Sequence, residues 1–129
     1  MNLSHARYVD VVVGAAVGRV DHASAEQLKL AIWPLLESCG EGREQLVLDC
    51  SQLEYISSAG LRVMMLAARE VKPRNGVIVV AALQPIVKEI FDISRFNLVF
   101  RVFADVRSAL TELSPRAAAA FDSSKPQRR

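Results

Sequence analysis

Short β-branched runs alternate with longer stretches of helical period along the 129-residue chain. Tyr8–Val13 (YVDVVV) and Ala15–Val20 (AAVGRV), with Gly14 between them, predict two strands in an antiparallel hairpin. Ser24 followed three residues later by Gln27 fits a capping box, and Asp21 offers an earlier cap. Leu28, Ile32, Leu35 and Leu36 then form one apolar stripe of a helix that ends near Cys39 and Gly40, with Pro34 inside it as an expected kink. Gly40–Glu44 is a loop, and Gln45–Cys50 (QLVLDC) is apolar on both faces, which predicts a central strand. A polar segment holding Ser51, Ser57 and Ser58 leads into a helix over Ala59–Val71, with Leu61, Met64 or Met65, and Ala68 on its apolar side. Pro73 and Gly76 punctuate its end.

The remainder repeats the alternation. Val77–Ala82 predicts a buried strand. Gln84–Ile93 predicts a helix with Pro85 in its first turn and Ile86, Ile90 and Ile93 facing the core. Leu98–Phe103 predicts a last strand, and Asp105–Ala118 a last helix with Val106, Ala109, Leu110 and Leu113 inward. The order ββαβαβαβα predicts one α/β domain over residues 1–118, with about four helices on a mixed, mostly parallel sheet of about five strands. Residues 119–129 read as a disordered polar and basic tail.

Composition narrows the function. With 51% apolar residues, 23% charged residues and a net charge of +2, the chain is globular and has no basic stripe for nucleic acid. Cys39 and Cys50 lack histidines at ligand spacing and are expected as reduced, buried thiols. The N-terminal MNLSHARYVDVVV lacks the layout of a signal peptide, and no apolar run approaches the ~20 residues of a membrane helix. The expectation is a soluble, cytoplasmic protein. There is no GxxxxGK[ST] loop, no GxGxxG turn and no acidic cage, so neither a cofactor nor a metal is expected. A catalytic role for Ser58 lacks the GxSxG elbow, and neither His5 nor His22 is placed as its base, so an enzyme is not expected. Asp49 ends the central strand as the phospho-acceptor of a two-component receiver does, but Val12-Val13-Gly14 stands where a receiver carries its acidic pair. Asp49 is therefore read as an acceptor for neighbouring backbone N–H groups.

Ser57 and Ser58 stand at the mouth of the Ala59–Val71 helix. A helix N-terminus presents unpaired N–H groups and a partial positive charge, so an anion is stabilised there. One serine suits a cap, and the other suits a phosphate acceptor.

The stretch Asp49-Cys50-Ser51-Gln52-Leu53-Glu54-Tyr55-Ile56-Ser57-Ser58-Ala59-Gly60-Leu61, between an apolar strand and an apolar helix, resembles the STAS family of anti-sigma factor antagonists and sulfate-transporter cytoplasmic domains. Gly18-Arg19-Val20-Asp21 is similar to that family's G-x-[apolar]-D segment, and the element order agrees from about Tyr8 to Ala118. The resemblance implies a free-standing anti-sigma factor antagonist that binds an anti-sigma factor which is also a serine kinase with a GHKL-type ATP site. It implies phosphorylation at Ser58, with Ser57 as the second candidate, and a serine phosphatase that reverses it. The family often has aspartate where this chain has Ser57. Asp21, Ser57, Ser58, Gly60 and Arg62 are the implied partner contacts, with Gly60 leaving room for a partner's backbone, and Arg69 lies further along the same helix. The alternative within the family is a subunit of a lipid-transport or stressosome-like assembly with no phosphate cycle.

Overall fold

The computed structural model describes residues 1–124. β1 (Asn2–Tyr8) and β2 (Val11–Val20) form an antiparallel hairpin, and α1 (Ala25–Leu36) leads to β3 (Gln45–Ile56). α2 (Ser58–Val71) leads to β4 (Ile78–Ala81), and α3 (Pro85–Ile93) leads to β5 (Val102–Phe103). α4 (Val106–Leu113) and α5 (Pro115–Ser124) complete the described chain. The sheet order is β1-β2-β3-β4-β5, parallel from β2 to β5. Crossovers between successive parallel strands share one hand, so strands added always to the same side place their helices on one face. Accordingly Leu28, Ile32 and Leu36 of α1, Leu61, Met64 and Ala67 of α2, and Val87 and Phe91 of α3 share one core with Val12, Leu46, Leu48 and Val80. On the other face Ala109 and Leu110 of α4 and Ala117 and Ala118 of α5 bury Val11, Val13, Val47 and Val79. Burial on both faces explains why β3 and β4 read as continuous apolar runs.

The hairpin is shifted from its expected position. Gly14 lies within β2, where a Cβ would stand 3.3 Å from Leu35 Cδ1, and the turn falls instead at Val9–Asp10. No glycine or asparagine marks that turn, and Val9 adopts φ 58°, a left-handed backbone that a β-branched residue tolerates poorly. Val9→Asn is expected to raise the unfolding free energy by about 1 kcal/mol in a urea titration, because asparagine populates this region more readily.

Four further expectations are corrected. α3 turns Val87 and Phe91 inward, where Phe91 meets Phe96 edge to face at 5.7 Å; of the three isoleucines expected inward Ile90 packs against the core, while Ile86 and Ile93 are exposed. β5 is two residues long: of the strand expected over Leu98–Phe103, Leu98 closes a 3-10 turn (Phe96–Leu98), Val99 and Phe100 follow as turn and bend, and only Val102–Phe103 is paired. The last helix is two helices, which makes five in all among the described residues. Pro115 disfavours helical backbone at Ser114, which is extended at φ −162° and ψ 102°. Ser114 Oγ then accepts the Ala117 N–H (3.2 Å) as the cap of α5 and donates to Asp10 Oδ1 (2.7 Å). Finally, α5 carries residues 119–124, expected in the tail, as helix: its Phe121 meets Tyr8 of β1 edge to face at 5.3 Å. Residues 125–129, the rest of that expected tail, lie outside the described residues.

Candidate functional site

β3 outlasts its neighbour. It pairs with β4 only from Leu46 to Asp49, and from there to Ile56 it follows β2 alone. Register shifts after Ala15 and after Gly18 each give β3 one residue more than β2. The segment expected to be a polar connection is therefore strand, and it delivers Ile56 opposite Val20. Asp49 Oδ1 accepts the Ser51 N–H at 3.0 Å, the backbone-acceptor role expected of it. Ser51 O accepts from Gln84 Nε2 at 2.8 Å, which ties the overhang to the start of α3.

At the end of this overhang the Ser57 N–H donates to Val20 O at 2.8 Å. Val20 and Ser57 thus leave the sheet side by side, and Asp21 and Ser58 follow them at the carboxyl end of the strands. Ser57 has extended backbone (φ −84°, ψ 172°), and its Oγ accepts the Gly60 N–H at 3.2 Å. It is the N-cap of α2, filling with a hydroxyl the place where the family often has a carboxylate. Ser57→Ala is expected to cost about 1 kcal/mol of stability, read as a lower urea midpoint, whereas Ser57→Asp keeps the cap and the midpoint.

Ser58 is the first residue of α2 and is exposed. Its hydroxyl has no hydrogen-bond partner among the described residues. No acidic residue occupies the first turn of α2. One helical turn on, Arg62 is exposed, and Arg69 is exposed further along. Ser58 therefore offers a free hydroxyl beside the positive end of a helix dipole, with no neighbouring carboxylate in that turn to repel an incoming phosphate.

Gly60 serves packing. It is buried, and a Cβ there would stand 2.7 Å from both Val20 Cγ1 and Ile56 Cγ1. The room left by the missing side chain is taken up by the ends of β2 and β3, which replaces the expectation that it admits a partner's backbone. Only glycine lets α2 begin so close to the strands.

Asp21 is held locally. Its Oδ1 accepts the Ser24 N–H (2.9 Å) and the Ser24 hydroxyl (3.0 Å), while Ser24 Oγ accepts the Asp21 N–H (2.9 Å). The capping box expected of Ser24 and Gln27 is thus formed one turn earlier by Asp21 and Ser24, and Ser24 makes no side-chain cap to α1. The Ser24 N–H, followed by the Ser24 hydroxyl, holds the Asp21 carboxyl below the usual carboxylate range. A depressed carboxylate pKa adds stability that is complete above the unfolded value near 4 and is lost as pH falls through the folded value. Asp21→Asn is accordingly expected to flatten the acid limb of a pH–stability curve below about pH 4 while leaving its slope near neutrality unchanged.

A contact that the sequence did not single out borders the site. The Arg19 guanidinium lies 4.7 Å above the Tyr55 ring, across the paired ends of β2 and β3. Only the bulged register brings these two opposite, and alternation along either strand alone does not show it. Both cysteines are buried and free; burial pushes Cys50 up to about 12 and raises Cys39 as well, so neither is a reactive thiolate. Among the described residues no three His, Cys, Asp or Glu side chains gather as a metal cage.

The fold is that of a STAS domain, and the chain belongs to that family: its STAS domain profile matches residues 2–109. The Bordetella bronchiseptica protein BtrV, which carries the name of an anti-sigma factor antagonist, is 37% identical over 127 residues, 98% of this chain and 100% of BtrV. The crystal structure of an anti-sigma factor antagonist from Mycobacterium paratuberculosis superposes with a TM-score of 0.77 at 20% identity, covering 87% of this chain and 92% of that one. SpoIIAA, an anti-sigma factor antagonist, superposes in its unphosphorylated form with a TM-score of 0.71 at 17% identity, covering 88% of this chain and 97% of its own. The phosphorylated form of SpoIIAA, a Bacillus cell fate determinant, gives 0.64 at 18% identity, covering 87% and 99%.

Proposed function

We propose that this protein is an anti-sigma factor antagonist whose binding surface is built around the start of α2 and is switched by phosphorylation of Ser58. The observation that carries this is the division of labour between the two serines. Ser57 commits its oxygen to the helix cap, and Ser58 keeps an exposed, unbonded hydroxyl at the first helical position. The full-length similarity to BtrV supports the class, and a phosphorylated form of SpoIIAA supports the chemistry. The unmodified protein binds an anti-sigma factor that is also a GHKL-type serine kinase and so frees the sigma factor. In the complex Ser58 Oγ attacks the γ-phosphorus of ATP. The Oγ–P bond forms as the bond to the ADP oxygen breaks, and the hydroxyl proton passes to a base of the kinase, since Ser58 has no bonded base in its own chain. A serine phosphatase returns Ser58 to the hydroxyl by transferring the phosphoryl group to water.

The protein itself acts by binding and is not an enzyme. Among the described residues no helix is long and apolar enough to cross a membrane, which suits a cytoplasmic partner switch. A pull-down from the native organism with wild type and Ser58→Asp side by side tests the proposal. Wild type is expected to capture a GHKL-type serine kinase that the variant captures poorly. Equal capture by both, or capture of transporter subunits instead, would overturn it.

A further inference from the structure

Among the described residues the exposed side chains of Arg43, Arg62, Arg69, Arg95 and Arg116 have neither a hydrogen bond nor an ion pair, and of these Arg62 stands one helical turn from Ser58. Arg7 pairs with Glu44, Arg101 with Glu112 and Arg107 with Asp122, while Arg74 donates to the carbonyls of Leu36 and Cys39. Arg19 lies on Tyr55. Arg62 has neither a hydrogen bond nor an ion pair among the described residues. Side chains on a helix meet those three and four positions away, which for Arg62 are Ser58, Ala59, Met65 and Leu66. Of these four, Ser58 alone can acquire a charge. The spacing also has the favourable sense, with the prospective anion four residues N-terminal to the cation. The nearby Asp21 carboxylate is engaged by Ser24.

We infer that Arg62 is a positioning residue for the switch, holding the phosphate of phosphorylated Ser58 in an intrahelical pair; this rests on Ser58 being the phosphorylated residue. The guanidinium presents a planar fork of donors that fits two phosphate oxygens, and the start of α2 lies beside the third. The Gly60 N–H is occupied by Ser57 Oγ, and the side chain of Arg62 adds donors to those that the helix start retains. The modified state is thereby locked in one geometry.

The pair is tested without a kinase, on full-length protein with phosphoserine installed at position 58 during translation. The phosphate is titrated by phosphorus NMR in the wild-type background and in Arg62→Gln and Arg62→Lys. The second phosphate pKa is expected about 0.3 units or more higher in Arg62→Gln than in wild type, as a helical ion pair of roughly 0.5 kcal/mol implies. Arg62→Lys is expected to restore much of the difference, and added salt to shrink it. Superimposable titrations of wild type and Arg62→Gln would overturn the inference. Because the phosphate is installed directly, that result would indict Arg62 alone, whereas a cognate kinase that leaves Ser58 unmodified would indict the proposed function.

Discussion

Full phosphorylation of Ser58 is expected to lower affinity for the cognate anti-sigma factor kinase by a few hundred-fold, a penalty of about 3–4 kcal/mol. The modification adds a charge of about −1.5 to −2 and three strong acceptor oxygens. The fold tolerates that group, because Ser58 is exposed at the first position of α2 and meets no acidic side chain in the first turn. The cost therefore falls on the complex, where the dianion must be desolvated or placed against partner groups selected for a hydroxyl. Truncations that leave a charge buried and unpaired in an interface cost about 2–5 kcal/mol, which brackets this expectation. Ser58→Asp carries less charge and fewer oxygens, so a loss of about ten- to thirty-fold, roughly 1.4–2 kcal/mol, is expected for it. Calorimetric titration of the kinase with each form measures both. Phosphorylated protein that binds within about threefold of the unmodified form, a difference of roughly 0.7 kcal/mol, would remove the basis of the switch.

Gly60→Val is expected to destabilise the fold by about 3 kcal/mol, the upper range for overpacking a filled site. A Cβ at this position already lies 2.7 Å from Val20 Cγ1 and Ile56 Cγ1, and the two γ-methyls of valine add to the collision. These neighbours cannot swing clear, since Val20 and Ile56 are buried in the core shared by β2, β3 and the three crossover helices. Relief requires the start of α2 to lift from the strands, which would loosen the Ser57 cap and displace Ser58. Gly60→Ala is expected to cost less, because alanine recovers up to about 1 kcal/mol of helix propensity. Urea unfolding followed by circular dichroism gives both values. A Gly60→Val midpoint equal to that of wild type would show that α2 does not approach the strands as closely as described.

The apolar pattern was enough to place β4, the first half of β3 and the helices that follow them, because burial on both faces leaves these segments no polar alternation to obscure them. It failed where the signal lies outside periodicity. The turn at Val9–Asp10 carries its positive φ on a valine, so Gly14 drew the hairpin boundary to itself. In α3 the isoleucine spacing placed Ile90 against the core but also Ile86 and Ile93, which are exposed, and it passed over Val87 and Phe91, which are buried, Phe91 against Phe96. At the site, the serine pair and the helix start were legible as a capping sequence followed by an apolar stripe. The extension of β3 to Ile56 was not, since Ser51, Gln52 and Glu54 are polar and the bulges break strict alternation. That extension brings Asp21 beside Ser57, sets Arg19 on Tyr55 and presses Gly60 against Val20. The inward role of Gly60 needs three-dimensional neighbours that no local pattern supplies.

The most direct test of the proposed switch is phosphosite mapping after incubation with the cognate kinase and ATP, for wild type, Ser57→Ala and Ser58→Ala. Wild type and Ser57→Ala are expected to carry one phosphate on Ser58, and Ser58→Ala none. Phosphorylation of Ser58→Ala to the wild-type extent, or a wild-type phosphate found on Ser57, would contradict the assignment of Ser58 as the acceptor.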